Sequence, residues 1–340
     1  EDSIMSLMKR IGLISVVVLA LGAAAGAVPD VVWKLPTVAR KESIWEKALS
    51  DMTAAWQRDT AGRVKGTVFP GGKLGTESAI VRAMRTNQYE TSLFMVTGGL
   101  AQIDEGFNAL AIPFFFKDDA EMVAVRDALT PDLEKRLNAK GFHLLAWTAG
   151  GWVRLFSKEP LKTIADIKKA KLWTNDADTK MTQWYKTNGF NPVPLDANAA
   201  ASQLKIGMIN ATPSPAYLAL LLGMQNDAKY MLDVNLGPFL GALVVTTKAW
   251  NAVSPEDQAK ITAAAMTVVK KTSVDMPAND AKAVAEMNAR GLTVVQMAPK
   301  DMDDLYATVG KLTASMRNDM VPAEMFDKAM AARDAYRKKK

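Results

Sequence analysis

The stretch FHLLAW, residues 142–147, decides the fold class because it is an almost unbroken run of large apolar side chains. A strand with one solvated face alternates apolar and polar residues, whereas a strand covered on both faces of a parallel sheet does not. A second such run, LFMV, lies at residues 93–96. The sequence therefore predicts a buried parallel sheet with helices packed on both of its faces.

Upstream of this run, strand-like and helix-like segments alternate. Residues 31–35 and 64–69 have the pattern of strands. Each is followed by a segment with apolar residues at helical spacing, residues 43–60 and 76–85. Such alternation is typical of an α/β domain.

Downstream, a second cycle begins near Gly151. Strands are predicted at residues 153–156, 171–174, 192–194 and 240–246, and helices at residues 164–170, 180–188, 197–207 and 323–340. The segment SPED at residues 254–257 has the N-cap, the first-turn proline and the acidic residues of a helix start. This long helix is expected to reach about residue 288, with an interruption near Pro277.

These elements predict two α/β domains connected by several chain crossings, with the long helix crossing both. The first domain is expected to comprise residues 28–151 and 240–275. The second is expected to comprise residues 152–239 and 276–340.

The first 27 residues have the pattern of an export signal. Lys9 and Arg10 precede an uncharged run that ends in the cleavage pattern Ala25-Gly26-Ala27. We therefore expect a signal peptide at residues 1–27, cleaved after Ala27, and a mature chain in the periplasm. Residues 1–6 are expected to be a non-native leader. An uncleaved signal-anchor is the alternative.

The composition is typical of a globular protein with a mild positive charge. The chain has 340 residues, 49% of them hydrophobic and 23% charged, and a formal net charge of +6. It has no Cys and a single His, which excludes disulfides, thiol nucleophiles and multi-histidine metal sites. Because the positive charge is spread along the chain rather than clustered, we expect no nucleic-acid partner.

No segment has the pattern of a catalytic or nucleotide-binding motif. The glycine-rich residues 71–75 lack the Lys-Ser/Thr ending of a phosphate-binding loop. His143, inside the apolar run 142–147, is expected to be a core or edge residue, and the pair Asp118-Asp119 is expected to be solvated. We therefore expect no enzymatic activity and no cofactor. A secreted α/β enzyme, which would need His143 as its base, is the alternative.

Six short segments, read in order, resemble one protein family. They are PGGKLGTE at residues 70–77, AIPFFFKD at 111–118, IADIKKAKL at 164–172, QLKIGMIN at 203–210, KYMLDVN at 229–235 and SPED at 254–257. Their order resembles that of the DctP-type solute receptors of tripartite ATP-independent periplasmic (TRAP) transporters. The resemblance covers nearly the whole chain after residue 27.

This resemblance implies a fold, a ligand and a partner. The fold is that of a type II-like, two-domain periplasmic binding protein, in which hinge bending closes the domains around a ligand in the cleft. The implied ligand is a small organic acid. The implied partners are the integral-membrane subunits of the transporter, to which the receptor delivers that acid.

The chain departs from the family's pattern where the ligand charge is decided. The family's arginine that clamps a ligand carboxylate falls at Trp173, whose indole offers one N–H and a stacking face. Arg154 lies one position from a second arginine of the family, and a shift by one turns a strand side chain to the opposite face. The family's acidic residue falls at Asn210. A receptor for an uncharged or aromatic solute, or for an ATP-driven importer, is the alternative.

Eight residues are the candidates for the ligand site. They are Phe94, Trp152, Arg154, Trp173, Asn175, Thr212, Tyr217 and Asn235. Arg154 is the candidate anchor for an anion, and Trp173 is the candidate wall of the cleft. Trp152 would stack on the ligand or pack in the hinge, and the hydroxyl and amide groups would bind its polar parts.

Overall fold

The computed structural model of the protein describes residues 31–176, 178–196 and 199–339. The expected signal peptide at residues 1–27 and the expected first mature residue, Val28, lie outside the described residues. Within them the chain forms the α/β fold that the sequence predicts.

Strands and helices alternate along the described chain. The strands are β1 (Val31–Pro36), β2 (Val64–Phe69), β3 (Thr91–Met95), β4 (Phe142–Ser157), β5 (Lys171–Asn175), β6 (Asn191–Leu195), β7 (Ala211–Pro215), β8 (Tyr230–Thr246) and β9 (Thr293–Val295). The helices are α1 (Ile44–Asp59), α2 (Glu77–Arg85), α3 (Ala101–Ile103), α4 (Asp119–Ala139), α5 (Ile164–Lys169), α6 (Thr179–Thr187), α7 (Ala200–Ile206), α8 (Ala216–Leu221), α9 (Thr247–Asn251), α10 (Pro255–Ala289), α11 (Pro299–Ala314) and α12 (Ala323–Arg337). A π-helical turn, Val96–Leu100, follows β3.

The larger of two sheets is mixed in direction. β1 and β2 form a parallel pair, and the larger sheet has the order β3-β8-β4-β7-β5-β6, with β9 beside β8. The predicted parallel sheet is wrong at residues 142–147, because β4 runs antiparallel to both β7 and β8. The apolar run has another cause. Leu144 and Leu145 pack into different core clusters, so β4 is covered on both faces whatever the direction of its neighbours.

β4 and β8 pair with each other through the middle of the molecule. The segments 142–147 and 153–156, predicted as separate strands, belong to the single strand β4. The pairing with β8 shifts its register beside Gly151, which has a φ of +86°. A Cβ atom at Gly151 would overlap the carboxylate of Asp280 on α10. Glycine is therefore required where α10 crosses β4.

The long helix α10 begins where the sequence predicts. The Ser254 hydroxyl accepts the N–H of Asp257, and Pro255 opens the helix. The predicted interruption near Pro277 is wrong, since α10 continues to Ala289. Proline costs the helix one hydrogen bond, and buried side chains such as Met276 anchor the same turn. Within the described parts of the chain, no helix combines the length and apolar character needed to cross a membrane.

The carboxylate of Glu77 ties α2 to the turn that follows β3. Its Oε1 accepts the N–H of Met95 at 3.0 Å, and its Oε2 accepts that of Gly99 at 2.6 Å. A Cβ atom at Gly98 would overlap Oε2, so this turn has room only for glycine. Burial raises the pKa of Glu77 to about 7, although both N–H groups oppose the shift.

The described chain has core clusters in both of its halves. In the first half, one cluster includes Leu129 of α4 and another includes Trp33 and Trp56. In the second half, one cluster surrounds Leu172 and another surrounds Phe156. The halves meet along β4, β8 and α10, and also through α6, whose Trp184 belongs to the cluster of Leu129.

The last helix, α12, packs against the first half. Met325, Phe326 and Ala329 share a core cluster with Leu129 and Leu133 of α4. The sequence places this segment in the second predicted domain, whereas α12 makes these contacts with the first half.

Candidate ligand-binding cavity

A cavity of about 560 Å³ lies where α4, β4, β8 and α10 meet. Its charged and aromatic wall consists of Asp119 and Arg126 from α4, Trp152 and Arg154 from β4, Asp233 from β8 and Asp280 from α10. Ligand pockets commonly have volumes of roughly 300–1,000 Å³ and lie between domains. The cavity therefore has the size and position of a small-molecule site.

Two of the eight candidate residues, Trp152 and Arg154, line this cavity. They follow the glycine pair Gly150-Gly151 on β4, and side chains two residues apart on a strand point to the same side. The one-residue shift of Arg154 thus brings it to the same cavity as Trp152 and α10.

Arg154 has spare hydrogen-bonding capacity. Its Nε lies 3.4 Å from Oδ1 of Asp233, whose other oxygen accepts a hydrogen bond from the Gln296 amide. The Arg154 Nη1 atom is buried and has no hydrogen-bond partner among the described residues. Buried polar atoms are normally paired, so this unpaired guanidinium nitrogen leaves Arg154, a residue of the cavity lining, with hydrogen bonding still to be completed.

Trp152 is fixed by the first turn of α4. Its indole N–H donates to Oδ1 of Asp119 at 2.9 Å. This bond holds one edge of the ring, so the orientation of Trp152 at the cavity wall is set before any ligand arrives.

Asp280 joins three elements at the junction of the two halves. Its Oδ1 accepts the backbone N–H of Tyr217 at 2.9 Å, and its carboxylate also accepts the backbone N–H of Trp152. Burial is the main cause that raises the pKa of Asp280, and the charge of Asp119 adds to it. Both N–H bonds and the Arg154 charge oppose this rise.

Tyr217 bridges the two halves and is not part of the cavity lining. Its hydroxyl oxygen accepts the N–H of Ile44, the first residue of α1, at 3.3 Å. Its ring meets the edge of Trp45 with centroids 5.4 Å apart, and Trp45 also packs against Phe239 of β8 at 6.0 Å. These aromatic rings form a contact between α1, β8 and the start of α8.

Trp173 lies behind the cavity wall. It is half-buried and packs against the cluster of Ala216 and Met231, both of which also line the cavity. Its indole Nε1 is buried and unpaired within the described chain. The next residue on β5, Thr174, is buried, and its hydroxyl oxygen accepts a hydrogen bond from the Thr182 hydroxyl of α6.

The structure does not bring the other candidates to the cavity lining. Phe94 is fully buried in the first-half core, and Thr212 is buried in β7, where it pairs with Phe156 of β4. Asn175 ends β5. Asn235 lies in β8 near the shift of register with β4, and its Oδ1 is buried without a partner in the part of the chain described.

Sequence reasoning missed the three aspartates of the cavity. Asp119 is exposed, as the sequence predicts, but its place at the cavity was not predicted, and Asp233 and Asp280 carry no local motif. The one signal that pointed to this place was the glycine pair Gly150-Gly151 beside two candidate residues. Glycine in a strand interior often marks the close approach of another element.

His143 is not among the residues that line this cavity. The ring of His143 stacks on Trp250 with centroids 4.5 Å apart, and burial lowers its pKa. Among residues 31–176, 178–196 and 199–339, no group of three or more acidic or histidine side chains is placed to hold a metal ion.

Comparison with known proteins identifies a family and a fold. Residues 35–319 match the family described as bacterial extracellular solute-binding protein, family 7 (DctP). A solute-binding protein of Verminephrobacter eiseniae is 27% identical over 247 residues, which are 72% of this chain and 73% of that protein. The 2,3-diketo-L-gulonate-binding periplasmic protein of Escherichia coli is 28% identical over 212 residues, 62% of this chain and 64% of that protein.

Solved structures share the fold at low sequence identity. A TRAP periplasmic solute-binding protein of Desulfovibrio salexigens, with bound orotic acid, has a TM-score of 0.82 at 16% identity and covers 90% of this chain and 99% of its own. A second, from Chromohalobacter salexigens with bound D-glucuronate, has a TM-score of 0.80 at 19% identity, covering 89% and 99%. A third, from Polaromonas and bound to D-erythronate, has a TM-score of 0.79 at 22% identity, covering 89% and 98%.

Proposed function

This chain belongs to family 7 of the bacterial extracellular solute-binding proteins, the DctP family, and we propose that it captures a small organic acid beside Arg154 as the receptor of a TRAP transporter. The observation that carries this proposal is the buried, unpartnered Nη1 of Arg154 in the described chain, next to a cavity of about 560 Å³. A guanidinium group binds a carboxylate through two parallel hydrogen bonds. The ligand would therefore complete the hydrogen bonding of Arg154.

The other groups in the cavity favour a hydroxylated acid. The ring of Trp152 offers a flat apolar face, and the carboxylates of Asp119, Asp233 and Asp280 are acceptors for hydroxyl groups. Relatives with this fold hold D-glucuronate and D-erythronate, which are sugar acids. We therefore place sugar acids first among the candidate ligands.

Two domains that close around the ligand remain part of the proposal. The first would comprise residues 31–151 and 240–275, and the second residues 152–239 and 276–322. We add α12 to the first domain because it packs on α4. The hinge would be formed by β4, β8 and α10, which run through both halves.

Location and partners follow from the family at a coarse level. The family is extracellular, and we propose that the chain is exported with cleavage after Ala27 and delivers its ligand to the membrane subunits of the transporter. Amino-terminal sequencing of protein secreted to the periplasm should begin at Val28. A chain that keeps residues 1–27 would support the signal-anchor instead.

The ligand class can be tested with matched pairs. Binding to the native state raises the melting temperature by mass action, so D-galacturonate should stabilise the protein and D-galactose, which has an alcohol in place of the carboxylate, should not. Stabilisation by neutral solutes alone would contradict the organic-acid proposal.

The role of Arg154 can be tested by substitution. Arg154→Gln removes the charge and the guanidinium fork but keeps a polar side chain, and the affinity for the acid should fall about 10–100-fold, as for a lost charged hydrogen bond. Arg58→Gln is the matched control, since Arg58 pairs with Asp59 on the exposed surface of α1. An unchanged affinity of Arg154→Gln would remove Arg154 from the site.

Trp173 favours a second candidate, an uncharged or aromatic solute. Its unpaired indole N–H, behind the cavity wall of the described structure, offers a neutral donor in place of the family's arginine. The Trp173→Ala variant should then lose binding of a flat neutral solute while it stays folded. Retained affinity would exclude Trp173 from the site.

A further inference from the structure

Acidic side chains outnumber basic ones in the lining of the cavity. Asp119, Asp233 and Asp280 line it, against two arginines, Arg126 and Arg154, and its lining within the described chain includes no lysine or histidine. The wall therefore carries more formal negative charge than positive charge, although the chain as a whole is positive.

One of the two arginines, Arg126, forms hydrogen bonds with a residue that does not line the cavity. Arg126 directs Nε and Nη2 to Oδ1 of Asp127, at 2.9 and 2.6 Å. Arg154 contacts Asp233 through Nε and keeps Nη1 unpaired among the residues described. Arg126 is thus engaged through two of its nitrogens with its neighbour on α4, and Arg154 is the arginine with a buried donor left unpaired, which suits one carboxylate.

A second anionic group would meet repulsion on the remaining walls. Asp280 is half-buried at the junction, and its burial, with a smaller contribution from the charge of Asp119, raises its pKa. The same burial would penalise a second negative charge placed beside Asp280, and the carboxylates of Asp119 and Asp233 would repel it.

We infer that the receptor selects monocarboxylates and rejects dicarboxylates of the same length and stereochemistry. The inference rests on the proposed organic-acid function and narrows it. Arg154 would bind the one carboxylate, and Asp119, Asp233 and Asp280 would accept hydroxyl groups where a dicarboxylate carries its second negative charge.

Calorimetric titration of the purified receptor with two matched pairs tests this selectivity. The pairs are D-galactonate against galactarate and D-gluconate against D-glucarate, open-chain acids in which the second member carries the additional carboxylate. The monocarboxylate of at least one pair should bind about tenfold more tightly or better. A dicarboxylate that binds as tightly as its partner would overturn the inference while the organic-acid function stands.

The Asp280→Asn variant tests the source of the selectivity. Asparagine keeps an oxygen that can accept the N–H of Tyr217, so the fold should be retained, and the preference should shrink to about threefold or less. Asp233→Asn is a second variant, on a half-exposed side chain, and should shift the preference in the same direction. Asp59→Asn, on the surface of α1, is the control that should leave the ratio unchanged.

The outcomes separate the two proposals. Failure of every acid to bind would contradict the proposed function, and the selectivity falls with it. Acid binding with an unchanged preference in both aspartate variants would refute the inference alone, because the preference would then not arise from these carboxylates.

Discussion

At the scale of single residues, two glycines make room for carboxylates. Gly151 lets the Asp280 carboxylate reach the backbone of β4, and Gly98 lets Glu77 reach the turn after β3. In each case a buried acid binds backbone N–H groups on an element distant in sequence. The absence of a side chain at Gly98 and Gly151 thus determines where the carboxylates of Glu77 and Asp280 can lie.

We expect Gly151→Ala to destabilise the protein by about 1–3 kcal/mol. The new Cβ would overlap Asp280, and alanine is strained at a φ of +86°. Gly237→Ala is the matched control, because Gly237 lies on the neighbouring strand with open space around it. Urea unfolding of both variants measures the difference, and equal losses would contradict the steric explanation.

Glu77 predicts a pH dependence of stability between about pH 4.5 and 7. Its pKa in the folded protein is about 7, above the ordinary 4.5, so the folded state holds this proton more tightly than the unfolded state. The corresponding stability is present below pH 4.5 and is lost as the pH rises towards 7. In Glu77→Gln this part of the decrease should be absent from urea unfolding measured across the range. The same slope in both proteins would contradict it.

At the scale of elements, helix boundaries were predictable because their signals are local. Ser254 caps α10, Thr76 caps α2, and Gly189 follows α6 with a φ of +78°, all within a few residues of the helix end. The direction of β4 was not predictable from its sequence. An apolar run shows that a strand is covered on both faces, and the neighbours that fix its direction lie far along the chain.

The same limit applies to the site. Trp152 and Arg154 were found because a family pattern places an arginine near them. Asp233 and Asp280 were missed because their place at the cavity depends on how β8 and α10 cross β4. No spacing within either segment records that crossing.

We expect loss of the α10 cap to cost about 1 kcal/mol. Ser254→Ala removes the oxygen that accepts the N–H of Asp257. Ser254→Thr keeps a hydroxyl cap and should retain most of the stability. Thermal unfolding of the two variants gives the comparison, and an equal effect of both would argue against capping as the cause.

At the scale of the whole molecule, the two halves also contact each other through residues that do not line the cavity. The hydroxyl of Tyr217 accepts the N–H of Ile44 across the junction, and Trp45 packs on both Tyr217 and Phe239. A receptor that closes on its ligand gains affinity from every contact that favours the closed form. If the halves close on a ligand as proposed, these aromatic residues would contribute to closure as well as to packing.

We expect Tyr217→Phe to weaken ligand binding about 2–10-fold without unfolding the protein. The variant loses the hydrogen bond to Ile44 and keeps the ring contact with Trp45. Tyr306→Phe is the control, since Tyr306 is half exposed on α11. Calorimetry with the acid found in the screen provides the measurement. Unchanged affinity in the Tyr217 variant would show that this hydrogen bond does not contribute to closure.

The pairing of β3 with β8 also affects the order of events during biosynthesis. Thr91 of β3 pairs with Val245 of β8, which the ribosome makes about 150 residues later. At a synthesis rate of roughly 5–20 residues per second, β3 remains without its partner strand for roughly 10–30 seconds. The amino-terminal half thus cannot complete its sheet early in translation. If the chain is exported as proposed, a sheet completed this late would favour a nascent chain that is still incompletely folded, which is the form that passes through a translocation channel.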